Sequence, residues 1–145
     1  MIAYSRPFWP LFLHVLGAMS LFGAVLTVLI VSVAGWARPA ASFLPRAAFR
    51  AGLVAVPAYV VMRAGAEWIY SREGWGAGGA KDPTWVGIGY GVADIGLLVL
   101  LVLLGVCYWW ARSGRPLAGR IVVVLSALLN AALAVAWLAM SGKWG

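Results

Sequence analysis

The sequence predicts an all-α fold: a polytopic membrane protein whose four transmembrane helices make one up-down bundle. Three observations predict it. Of 145 residues, 64% are hydrophobic and only 10% charged, with a mean hydropathy of +0.95, more apolar surface than a single soluble core of this length can hide. The apolar residues fall in four runs, Phe8–Ala34, Ala51–Trp68, Trp85–Trp110 and Ile121–Met140, each close to or above the roughly 20 residues that cross hydrocarbon at helical rise. The runs lack the short polar–apolar alternation of a transmembrane barrel. Backbone groups in lipid must therefore be satisfied inside helices. Residues 1–145 are read as a single four-helix transmembrane domain with helices at about 8–34, 44–70, 85–111 and 119–141.

Each element has its own signals. In helix 1, Pro7 and Pro10 suit a first turn, where a missing N–H costs little; Gly35 and Arg38-Pro39 are expected to stop it. The run is too long for the apolar region of a cleaved signal peptide and has only Arg6 before it, so it is expected to persist as a mature helix. Ser42 is the expected N-cap of helix 2, with Pro45 just inside, and Pro57 is expected to kink that helix and free a carbonyl. Ser71–Thr84 is Gly-rich and polar, the main loop. Helix 3 opens with Gly87, Gly89, Gly91 and Ala93, a small-xxx-small pattern that lets a neighbouring backbone approach closely. That pattern serves packing inside the bundle or a homodimer through the Gly87/Gly91 face. Arg112–Arg120 is a tight basic turn into helix 4.

Nine Arg and two Lys against four acidic residues give a net charge of +7. Most of these arginines flank helix ends, where they meet headgroups of the lipid bilayer and set topology; no basic soluble segment is left over for nucleic acid. The 1–2 and 3–4 connections carry Arg38, Arg46, Arg50, Arg112, Arg115 and Arg120, and the other side carries Arg6, Arg72, Lys81 and Lys143. That imbalance predicts periplasmic termini and a periplasmic 71–84 loop. Aromatics band both ends as an interfacial belt, among them Trp9, Trp68, Trp75, Trp85 and Trp144 on one side and Trp36, Phe43, Trp109 and Trp110 on the other. The Arg-over-Lys bias with abundant Ala and Gly looks like a GC-rich bacterial genome, and the expected location is a bacterial inner membrane.

Ionisable groups inside the spans each need a reason. By helical rise His14 lies about 9 Å inside the start of helix 1, Asp94 about 13 Å inside helix 3 and Arg63 about 7–8 Å inside helix 2; Glu67 is at the interface and Asn130 near the midplane of helix 4. His14, Arg63, Glu67 and Asp94 fall in the same outer half, with Asn130 below them. Asp94 is expected to contact Arg63 as a buried pair, Arg63 and Glu67 stand at i,i+4, and His14 suits a bond to a carbonyl such as the one Pro57 frees. Alternatively the set lines a polar cavity that binds a solute or ion, or relays protons.

Catalysis has little to work with. Ser20 is six residues from His14 and points elsewhere on a straight helix, so no nucleophile, base and orienting group converge. One His and one remote Cys107 make poor zinc equipment. Met19, Met62 and Met140 show no metal-ligand spacing around His14 for copper. A haem b could take His14 as an axial ligand.

The segment LHVLGAMSLFG, Leu13–Gly23, resembles the first helix of a broad group of small bacterial membrane proteins. The group includes CopD-type copper-resistance proteins, HemJ-like protoporphyrinogen oxidases and a family of four-helix integral membrane proteins with no assigned activity. The last is similar to this chain in length, in the Trp-led opening of helix 3 (WVGIGY, Trp85–Tyr90) and in the closing WLAMSGKWG (Trp137–Gly145). Resemblance to the haem-binding members implies His14 as axial ligand; the chain departs from them in having no second His. The expected function is non-enzymatic: binding or moving a small solute, ion or cofactor at a polar site of His14, Arg63, Glu67, Asp94 and Asn130. A haem-dependent redox protein and an accessory subunit of a membrane complex are the alternatives.

Overall fold

The computed structural model describes residues 8–38, 42–74 and 83–142. Four helices account for nearly all of them: α1 Phe8–Ala37, α2 Leu44–Glu73, α3 Thr84–Ser113 and α4 Pro116–Gly142. Three have 30 residues and α4 has 27, so each is about 40–45 Å long at helical rise. All four are long and apolar enough to cross a membrane, and their ends reach past the roughly 30 Å of hydrocarbon into the headgroups. The chain is a multi-pass, all-α four-helix bundle.

Each helix packs against its neighbours in sequence, and α1 closes the ring against α4. The pairs run antiparallel, as short connections require. His14 meets Gly65 and Gly35 meets Leu44 between α1 and α2. Tyr70 stacks on Tyr90 and Phe49 on Tyr108 between α2 and α3. Gly119 meets Trp110 and Gly89 meets Met140 between α3 and α4.

The interior is small rather than greasy. Ala48, Ala55, Ala118 and Ala139 are fully buried with Val25, Val28, Leu103 and Val122, while Met19, Ile30, Val60, Ile95 and Leu98 face outward. This inversion suits a lipid solvent, where helices gain nothing by hiding leucine and associate through close backbone approach. The tightest approach joins α1 and α2: a methyl group at Gly17 would collide with the Met62 backbone, and one at Gly65 with the His14 backbone.

Several local expectations change. α1 continues through Gly35 to Ala37. Gly35 is there for packing, since a Cβ would stand 2.7 Å from the Trp110 ring. Gly119 meets the same indole from α4, its Cβ 3.0 Å away. Trp110 is thus buried as a wedge between α1 and α4 rather than part of the interfacial belt. Ser42 does not cap α2; Phe43 holds the N-cap position with no side-chain hydrogen bond, and Pro45 occupies the first turn. α2 runs through Pro57 as one helix. Gly114 ends α3 in the left-handed conformation at φ 65°, its N–H donating to the Trp110 carbonyl at 2.8 Å; without a Cβ it adopts this cap freely. Trp75, Lys81 and most of the expected 71–84 loop, with Arg6, Pro7, Lys143 and Trp144, lie outside the described residues.

Candidate functional site

The polar residues of the spans divide into three separate places. Arg63, Glu67 and Asp94 come together on the flank between α2 and α3. Arg63 and Glu67 share a helical face one turn apart, and the Arg63 Nε donates to the Glu67 Oε1 at 3.0 Å. The Arg63 Nη1 donates across to the Asp94 Oδ1 of α3 at 2.9 Å. The expected contact therefore forms, but not as a buried pair: the side chains of Arg63, Glu67 and Asp94 are 28%, 51% and 63% exposed. The cluster opens sideways from the bundle, not into its centre.

Tyr90 completes the cluster and is the member that sequence reasoning missed. Its ring lies under the Arg63 guanidinium, 4.5 Å from centroid to Cζ, a cation–π contact that holds the cation in place. Tyr70 braces Tyr90 edge-on at 5.4 Å. The signal was present: Tyr90 precedes Asp94 by four residues and so shares its helical face.

His14 is elsewhere. Its Nδ1 lies 3.0 Å from the Met62 carbonyl of α2. A carbonyl only accepts, so Nδ1 is the donor. The expected bond to a carbonyl forms, and the acceptor is Met62 rather than the carbonyl that Pro57 frees, because the Gly17 and Gly65 contacts bring α1 against the later turns of α2. Met62 and Arg63 point about 100° apart on their helix, so the imidazole and the charged cluster occupy different faces. Asn130 is buried at 7% exposure and donates through Nδ2 to the Ser126 carbonyl at 2.9 Å, leaving its Oδ1 unpartnered. Neither residue joins Arg63, Glu67 and Asp94.

The void between Leu21, Tyr59, Met62, Leu100 and Leu129 measures about 10 Å³ and is lined by apolar groups, at the lower limit for one water. The residues around His14 do not fit a haem. Nε2 could ligate, but the α2 side is closed by the Gly65 contact, and a macrocycle would have to lie outside the bundle against lipid. No cluster of three His, Cys, Asp or Glu side chains exists among the described residues to hold a metal.

What the flank can do follows from its charge. Two carboxylates face one guanidinium, which reaches Glu67 through Oε1 and Asp94 through Oδ1. Such an arrangement accepts a cation or a hydrogen-bond donor. No family model, curated protein or solved structure matches the chain.

Proposed function

We propose that this chain is a non-catalytic protein of a bacterial inner membrane that binds a small cationic solute at the Arg63–Glu67–Asp94 cluster, in the outer half of the bilayer. The observation that carries the reading is that two carboxylates, Glu67 and Asp94, face the single Arg63 guanidinium on the α2–α3 flank, with the Tyr90 ring beneath it. An ionised carboxylate at this depth is costly unless something pairs with it. Solute would reach such a site laterally or from the headgroup region, since the cluster stands on the exposed flank and the void between Leu21, Tyr59 and Leu129 is small and apolar. Binding at the flank therefore fits the geometry better than conduction through the bundle.

The test is thermal melting of protein in phosphatidylcholine nanodiscs, titrated with sodium or ethylammonium at ionic strength held constant by choline. Saturable stabilisation is expected, as linkage requires for a ligand of the folded state. It should vanish in Asp94→Asn and persist in Arg46→Gln. An equal response of wild type and Asp94→Asn would reject the reading.

A second reading has its own observation. Gly87, Gly91 and Gly105 have open space above them, and with the exposed Ile95 and Leu98 they form one outward face of α3. A second copy packing there would make a homodimer and cover Asp94. Disulfide cross-linking of Gly91→Cys in membranes, with Gly23→Cys on α1 as the open-glycine control, separates the two readings. Cross-linking at position 91 alone favours the dimer.

A further inference from the structure

At the end of the bundle opposite the Asp94 cluster, α2 begins and α3 ends around an open groove of about 220 Å³ lined by Arg46, Phe49, Arg50, Tyr108, Ala111 and Arg112. We propose that this groove is a binding site for the phosphate of an anionic phospholipid. It is independent of the cation site, sharing no residue with it.

Charge is the first argument. Three guanidiniums line one groove, two of them at i,i+4 on α2, where like charges repel. Arg38 and Arg115 in the neighbouring connections and Arg120 early in α4 add to this charge at the same end. None of the described acidic residues pairs with these arginines. Glu67, Glu73 and Asp94 lie toward the other ends of α2 and α3, and Asp82 belongs to the segment joining those other ends. Both ion pairs among the described residues involve Arg63. The three arginines of the groove are thus free to take an anion from outside, and arginine forks match phosphate oxygens well.

Position is the second. Arg46 and Arg50 sit in the first two turns of α2, and Arg112 in the last turn of α3. Since these helices overreach the hydrocarbon at both ends, the groove stands at headgroup level. Basic pockets between helices at this level suit anionic headgroups.

The third is the amphipathic lining. Phe49 and Tyr108 pack at 5.6 Å between ring centroids, tilted by 58°, and Arg112 lies over the Tyr108 ring at 5.7 Å. The aromatic pair offers an apolar wall continuous with the lipid-facing side, while the guanidiniums crown it. The groove has the volume of about seven liquid waters at roughly 30 Å³ each. That accommodates a phosphodiester with its first glycerol carbons and no folded partner.

The experiment is native mass spectrometry of the purified protein released from mixed micelles holding equal phosphatidylglycerol and phosphatidylcholine. Retention of phosphatidylglycerol is expected at on the order of a hundredfold over phosphatidylcholine, since each basic side chain near an anionic headgroup contributes roughly fivefold. Arg46→Gln, at an exposed position that leaves the fold intact, should lose roughly fivefold of that preference, and the triple variant Arg46→Gln, Arg50→Gln, Arg112→Gln nearly all of it. The charge-matched triple Arg38→Gln, Arg115→Gln, Arg120→Gln should keep it. If both triples lose the preference equally, the attraction is diffuse and there is no site. If millimolar inorganic phosphate displaces the lipid and stabilises the protein alone, the groove takes a free anion and the lipid assignment is wrong.

Discussion

Arg63 holds two carboxylates with one guanidinium while resting on the Tyr90 ring, so each group of the cluster depends on the others. Asp94 is 63% exposed at the side chain, so lipid and headgroups, not protein, cover the rest of it. A double-mutant cycle of Asp94→Asn and Arg63→Gln should give a coupling of about 1 kcal/mol, between the values for surface pairs and for interhelical polar contacts in membranes. Additive single effects in an unfolding titration would show that the two do not interact. His14→Ala removes one interhelical hydrogen bond and should lower stability by about 0.5–1.5 kcal/mol, read as a shift in thermal melting with helicity unchanged. Purified wild type should show no Soret band; a stoichiometric band lost on His14→Ala would restore haem. The partners at this scale were partly legible. A lone Asp and a lone Arg in neighbouring apolar runs must find each other, and they do. The carbonyl chosen by His14 was not legible, because it depends on how α1 is rotated against α2.

Among the elements, α1 and α2 form the most intimate pair, through Gly17 and Gly65. Gly17→Ala and Gly65→Ala would drive a methyl group into backbone, which cannot yield as a side-chain end can. Each should cost about 1–3 kcal/mol, the scale of overpacking a tight interior, measured by unfolding in mixed micelles. Gly23→Ala, with nothing within 4 Å of the added carbon, should be neutral or slightly stabilising through the better helix propensity of alanine. If all three behave alike, the α1–α2 contact is not the tight one. Of the small-residue series on α3, Gly89 meets Met140 and Ala93 packs against the core, while Gly87 and Gly91 are open and pack nothing within the bundle. The glycine spacing that mattered is split between two helices and makes no motif within either one.

At the scale of the whole molecule, one end bears six arginines and no acidic residue, while all four acidic residues lie toward the other with Arg6, Arg63, Arg72, Lys81 and Lys143. On the arginine imbalance, the 3–4 turn is expected to face the cytoplasm and the 71–84 segment the periplasm. A cysteine at Gly78, within the segment outside the described residues, should label with an impermeant thiol reagent in intact cells, and one at Gly114 only after permeabilisation. The reverse pattern would turn the molecule over, placing the Asp94 cluster in the cytoplasmic half and the arginine groove in the outer leaflet.

The sequence by itself determined the number, length and order of the spans, to within about three residues at each end. It could do so because hydrocarbon forces every spanning backbone group into a helix, so run length alone sets the element. It also determined which residues carry charge into the membrane. Only the tertiary structure decided where they point: Arg63, Glu67 and Asp94 to an open flank, His14 into the α1–α2 seam, Asn130 into the interior and three arginines around one groove. The physical reason is the solvent. In water an apolar stripe on a helix marks the face that turns inward, but these helices are apolar on nearly every side. Lipid gives no preference among those sides, so backbone-level fit at glycine and alanine sets each helix's rotation, and that fit exists only when two helices meet.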